Sequence, residues 1–67
     1  MKNYVELLNK EVRIITLVVF GNGRKIKTEY VGKLIENYNE SITIQEKDNT
    51  SVRIRKNRIK RIEENNG

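Results

Sequence analysis

The 67 residues of this chain include no cysteine, no histidine, no proline and no tryptophan. Each absence excludes something. Without cysteine there is no disulfide, and without either cysteine or histidine a zinc site would have to come from carboxylates alone. The same two absences remove the commonest general base and the most reactive nucleophile. The acids stand in polar, charged neighbourhoods with no apolar pocket in view, so the expectation is a binding protein: no enzyme, no catalytic residue, no metal, no cofactor and no small-molecule substrate. Long hydrophobic runs are missing as well. The longest, Ile14 to Phe20, falls far short of the roughly 20 residues a membrane span needs. Met1-Lys2 is followed by no apolar core of signal-peptide length, so a soluble, cytoplasmic protein with no membrane partner is expected.

A chain this short makes one domain with a thin core, burying only about 60% of its unfolded surface. With staples and metals excluded, an economical barrel, self-association or both must supply the stability. Formal net charge is +5, unevenly placed. Residues 1–50 carry eight basic and seven acidic groups (net +1), whereas residues 51–67 carry six and two (net +4). Such asymmetry points to a polyanionic partner, or equally to a solvated, solubilising surface.

The pattern along the chain is that of a β-protein. "NYVELLNK" reads as a short helix, with Asn3 as cap, Glu6 closing a capping box, and Tyr4, Leu7 and Leu8 on one face. "EVRIITLVVF" is a strand with both faces apolar, which needs cover on its second side. Ile15, Leu17 and Val19 there are candidates for a subunit interface; the alternative is that the N-terminal helix covers them. "GNG" at 21–23 predicts a tight hairpin. Its return strand is interrupted by Gly32, a residue suited to the bend by which a short sheet curls up. "NYNE" at 37–40 and "KDNT" at 47–50 predict two more turns. Between and after them, "SITIQE" and "SVRIR" alternate apolar with polar, so the cations of residues 51–61 stand on a sheet and not on a loose tail. In "NRIKRIEE", Ile59 and Ile62 lie three apart, as for a tight turn entering a last short strand. The fold expected is therefore all-β: a short N-terminal helix followed by a small, strongly bent five-stranded antiparallel barrel over residues 1–64, with 65–67 frayed.

These residues resemble the Sm-like family, which includes the bacterial Hfq-like proteins. "YVGKLIENYNESITIQ" is similar to the first motif of that family and "VRIRKNRIKRI" to the second, while "LLNKEVRI" matches its helix-to-strand entry. The resemblance spans nearly the whole chain and implies an SH3-like barrel in a ring of identical subunits that binds single-stranded RNA. Lys56 replaces the family's Gly after the Arg, Ser41-Ile42 stands near its Met-Asn pair, and the first hairpin is longer. By position, Tyr38 and Asn39 fall in the base-contacting turn and Arg55 is the family's Arg. Arg53, Arg55, Lys56, Arg58, Lys60 and Arg61 are the candidate phosphate contacts, weighed against an outer face paired with Glu29, Glu36, Glu63 and Glu64. Tyr38 would stack on a base, or else pack on the barrel rim. A similar long hairpin with "GKL" and a closing pair of isoleucines occurs in C-terminal barrels of ribosome-maturation factors. A non-catalytic protein-interaction or ribosome-associated barrel is thus the alternative to an RNA-binding homo-oligomer.

Overall fold

The computed structural model describes residues 4–65. Ahead of the first strand, the expected helix is a single 3-10 turn, Val5–Leu7. Two local features stop it growing. Leu8 has already left the helical region (φ −56, ψ 134), and Asn9 takes φ 67. One turn gains too few hydrogen bonds to offset the cost of nucleating a helix in so short a segment. The cap proposed at Asn3 lies outside the described residues. The apolar face is nonetheless the one expected: Tyr4 is buried, and Leu7 and Leu8 pack against the core.

Five antiparallel strands follow, β1 (Glu11–Val19), β2 (Lys25–Asn37), β3 (Ser41–Gln45), β4 (Ser51–Arg55) and β5 (Ile59–Glu64), in the sheet order β4-β3-β2-β1-β5. The barrel does not close. β4 and β5 are the two ends of the sheet, because the 3-10 turn joining them, Lys56–Arg58, delivers β5 to β1 instead of back to β4. The fold is all-β and open, without the N-terminal helix.

The bend in the sheet is set on β2, whose 13 residues pair first with β1 (Lys25 to Lys33) and then with β3 (Lys33 to Asn37). Gly32 sits at the changeover. A Cβ there would lie 2.7 Å from the Gln45 carbonyl oxygen, so only glycine lets the two backbones come this close. Two bulges add to the curvature. One sets Ile35 as an extra residue between the Leu34–Ile44 and Glu36–Thr43 pairs. The other sets Lys60 between the Ile59–Thr16 and Arg61–Ile15 pairs. That second bulge explains the three-residue spacing of Ile59 and Ile62: with Lys60 counted out, both isoleucines return to the inner face, where they pack on the core.

The core is Tyr4, Val12, Ile14, Leu34, Ile42, Ile44 and Ile54, drawn from the residue before the 3-10 turn and from four strands. Val12, Ile14, Leu34, Ile42 and Ile44 are fully buried. Each such side chain contributes about 2 kcal/mol of hydrophobic stabilisation. Beyond Thr16 and Thr28 the β1–β2 hairpin runs on as two strands alone, its tip turned at Gly23 (φ 85). Asn65, in the stretch expected to fray, donates its N–H to the Glu11 carbonyl at 2.9 Å.

Candidate nucleic-acid interface

Two turns meet at one end of the sheet. Register brings them there: Ser41 opens β3 directly opposite Arg55, the last residue of β4, so the segments before the one and after the other are neighbours. The Lys56 N–H then donates to the Glu40 carbonyl at 2.8 Å, while the Tyr38 N–H donates to the Ser41 carbonyl at 2.8 Å and closes the β2–β3 turn. Between the turns lies an open concavity of about 610 Å³ whose lining includes Asn39, Ser41, Arg53, Arg55, Lys56 and Asn57.

Its electrostatics are one-sided. Glu40 is the one carboxylate among the described residues that line it, against the three cations Arg53, Arg55 and Lys56. The ion pairs among the described residues are Lys10–Glu64, Arg13–Glu29 and Arg61–Glu63, so none of those three cations is neutralised by a salt bridge. Two of them rest on aromatic rings. The Lys56 ammonium lies 5.5 Å from the Tyr4 ring centre and the Arg53 guanidinium 5.2 Å from that of Tyr38. Cation–π contact holds a charge in place without cancelling it. Burial raises the Tyr4 phenol above its ordinary pKa, keeping the platform under Lys56 neutral.

Of the residues anticipated from sequence, Asn39, Arg53, Arg55 and Lys56 come together around the concavity. Tyr38 is half-exposed beside it, with its ring under the Arg53 guanidinium. The reason is the cross-strand row Glu36–Thr43–Arg53, which runs across β2, β3 and β4 on the outer face. The Tyr38 hydroxyl donates to Glu36 Oε2 at 2.6 Å, bringing its ring alongside Arg53. That bond holds the Glu36 carboxyl below its usual range, helped by the Arg53 charge, and it raises the Tyr38 phenol. Arg58, Lys60 and Arg61 are exposed on the 3-10 turn and β5 and do not line the concavity; Arg61 is 3.6 Å from Glu63. Tyr4, Ser41, Asn57 and Ile59 also line it and were not anticipated. Only the facing of the two turns, a tertiary fact, assigns them.

Ile15, Leu17 and Val19 lie elsewhere, on the face of β1 opposite the core. Tyr4, Leu7 and Leu8 join the inner cluster and do not cover that face. Ile15 lies between Glu29 and Arg61, and Leu17 beside Lys27, and both are half-buried; Val19 is 58% exposed. Among the described residues no three His, Cys, Asp or Glu side chains cluster as metal ligands, and no helix is long and apolar enough to cross a membrane. Comparison with protein-family models, with curated proteins and with solved structures finds no match.

Proposed function

We propose that this protein is a non-catalytic, Sm-like RNA-binding β-protein that takes single-stranded RNA into the concavity between its β2–β3 and β4–β5 turns and works as a homo-oligomer. One observation carries the reading. The Lys56–Glu40 backbone bond gathers Arg53, Arg55, Lys56 and Asn39 around a single open hollow, with the three cations in no salt bridge among the described residues. Arg55 and Lys56 neutralise phosphates there, while Asn39 presents an amide to a base edge and Tyr38 a ring face for stacking. Arg58, Lys60 and Arg61 extend the positive surface along β5. Self-association is supported by the open sheet, in which β4 and β5 each keep an edge with no partner strand among the described residues, and by the outer face of β1, where Val19 is exposed.

The test is titration of short uridine- or adenine-rich oligonucleotides at two salt concentrations. Binding should weaken with salt, and Arg55→Ala should reduce affinity about tenfold and lower the salt slope by about 0.7, the share of one phosphate contact on a single strand. Affinity and slope unchanged by Arg55→Ala would remove the concavity as the RNA site.

A second reading, a protein-interaction module, is favoured by one feature: Val19, Phe20 and Ile26 stand 58%, 46% and 42% exposed on the projecting hairpin. It predicts a folded protein that ignores oligonucleotides at every salt concentration.

A further inference from the structure

The hairpin carries a surface that RNA binding does not use. β2 pairs with β3 only from Lys33 onward, so on that side Lys25 to Gly32 have no partner strand among the described residues. Lys25 to Glu29 are all exposed. An unpaired strand edge is a template for another strand, and the side chains on this one decide what kind.

We propose that a second copy of this chain docks here, β2 against β2, antiparallel about a two-fold axis through Thr28. This adds to the self-association proposed above an interface at another edge, with a definite partner and register, and it depends on none of the RNA-contacting residues. The sequence I-K-T-E-Y, residues 26–30, complements itself about its centre. Lys27 falls opposite Glu29 of the second copy and Ile26 opposite its Tyr30, each pair occurring twice. Opposite charges and aromatic–aliphatic contacts are the cross-strand pairs that stabilise a sheet. The neighbouring registers are penalised: centring on Ile26 sets Lys25 against Lys27, while centring on Lys27 or on Glu29 sets that residue against its own copy. Register in an edge pairing is otherwise weakly specified. Here the lysines that would repel a generic strand select one arrangement. Ile26 lies opposite Val18 on β1, and Tyr30 opposite Ile14, so the new apolar pairs continue the inner face of the sheet across the junction. The contact is isologous and therefore closes after two copies.

Because the chain has no cysteine, one introduced thiol reports the register. Directly opposed residues of antiparallel strands have Cα atoms about 4.5–5.5 Å apart, within the range a disulfide spans. Thr28→Cys in the full chain should therefore link to its own copy under mild oxidation. Ile26→Cys, on the same face, should not, because its copy is four residues away along the strand, about 13 Å. Separately, Lys27→Glu sets like charges opposite each other twice and should weaken the association about tenfold by concentration-dependent light scattering. Linking at 28 but not at 26, with weakened Lys27→Glu association, supports the proposal. Equal linking at both positions, no linking at either, or a Lys27→Glu protein that associates like the parent overturns it. Oligonucleotide titration of the same variants keeps the two proposals apart. Lost linking with RNA binding intact removes this interface alone; intact linking without RNA binding leaves this interface standing and removes the RNA reading.

Discussion

The two ends of β2 pair with different strands and lie in different surroundings. At the Asn37 end the strand is flanked by β3, and Leu34 is fully buried beside Ile44. The turn that follows is held to the 3-10 turn after β4 by the Lys56–Glu40 bond. At the Lys25 end it has β1 alone for company, with Ile26 42% exposed, and the side chains reaching across are the Thr16 hydroxyl, 3.3 Å from the Thr28 carbonyl, and Arg13, paired with Glu29. One end is a rigid mount for charges and the other an arm with a free edge. Stability and display are therefore separated along a single strand, and substitutions at matched residue types should measure how far.

The largest difference is expected from the two aliphatic residues on the inner face of β2. Leu34→Ala leaves a cavity among Val12, Ile42 and Ile44 and should cost about 3 kcal/mol. In a domain of this size that lowers the melting temperature by roughly 12 °C or more. Ile26→Ala should change the stability of the single chain by about 0.5 kcal/mol or less, as exposed sites do. Equal losses in thermal unfolding at low protein concentration would mean that the arm is as much a part of the core as the bend.

A smaller contrast separates the two structurally constrained glycines. Gly32→Ala sets a methyl 2.7 Å from the Gln45 backbone oxygen, so the β2–β3 junction must open; about 2 kcal/mol is expected. Gly23→Ala meets no atom within 4 Å and suffers only from φ 85, a cost of about 1 kcal/mol. Chemical denaturation of the two variants gives the order directly. A Gly23→Ala protein less stable than Gly32→Ala would show that the hairpin tip limits folding and the bend does not.

Where the sequence was legible, the signal was local. Alternation in Val52 to Arg55 placed the cations on a strand, GNG placed the hairpin, and Gly32 placed the bend. The spacing of Ile59 and Ile62 marked a turn and a strand but concealed the bulge at Lys60, because an extra residue is recognised only against a partner strand. The expected helix failed for a related reason. Tyr4, Leu7 and Leu8 have helical spacing, yet Asn9 at φ 67 ends the segment after one turn, and burial of the three side chains does not require more. The pairing of Tyr38 with Arg53 was out of reach of spacing altogether, since it follows from the row Glu36–Thr43–Arg53 across three strands. Closure of the barrel was likewise undetermined by pattern: strand count does not say where the last strand pairs.

The smallest effect concerns that outer-face cluster, and it is a matter of pH. The Tyr38 hydroxyl holds the Glu36 carboxyl below its ordinary 4.5 and is itself raised above 10.0 by the same bond. A lowered carboxyl contributes stability that is present above its unfolded pKa and lost as pH falls through the folded one. A raised phenol contributes stability that is present below its unfolded pKa and lost as pH rises through the folded one. The pair is therefore complete from about pH 4.5 to about pH 10 and fails on both sides. Tyr38→Phe removes the bond while leaving the ring under Arg53. Its stability, followed by denaturant midpoint against pH, should fall less steeply than the parent's below pH 4.5, the carboxyl's ordinary value. On the alkaline side part of the loss should persist, because burial keeps the Tyr4 phenol raised in both proteins. Both groups of the pair are solvent-facing, so the difference is one of slope and not of fold. Superimposable acid limbs would mean that Glu36 gains nothing from Tyr38, and that the ring is positioned by Arg53 alone.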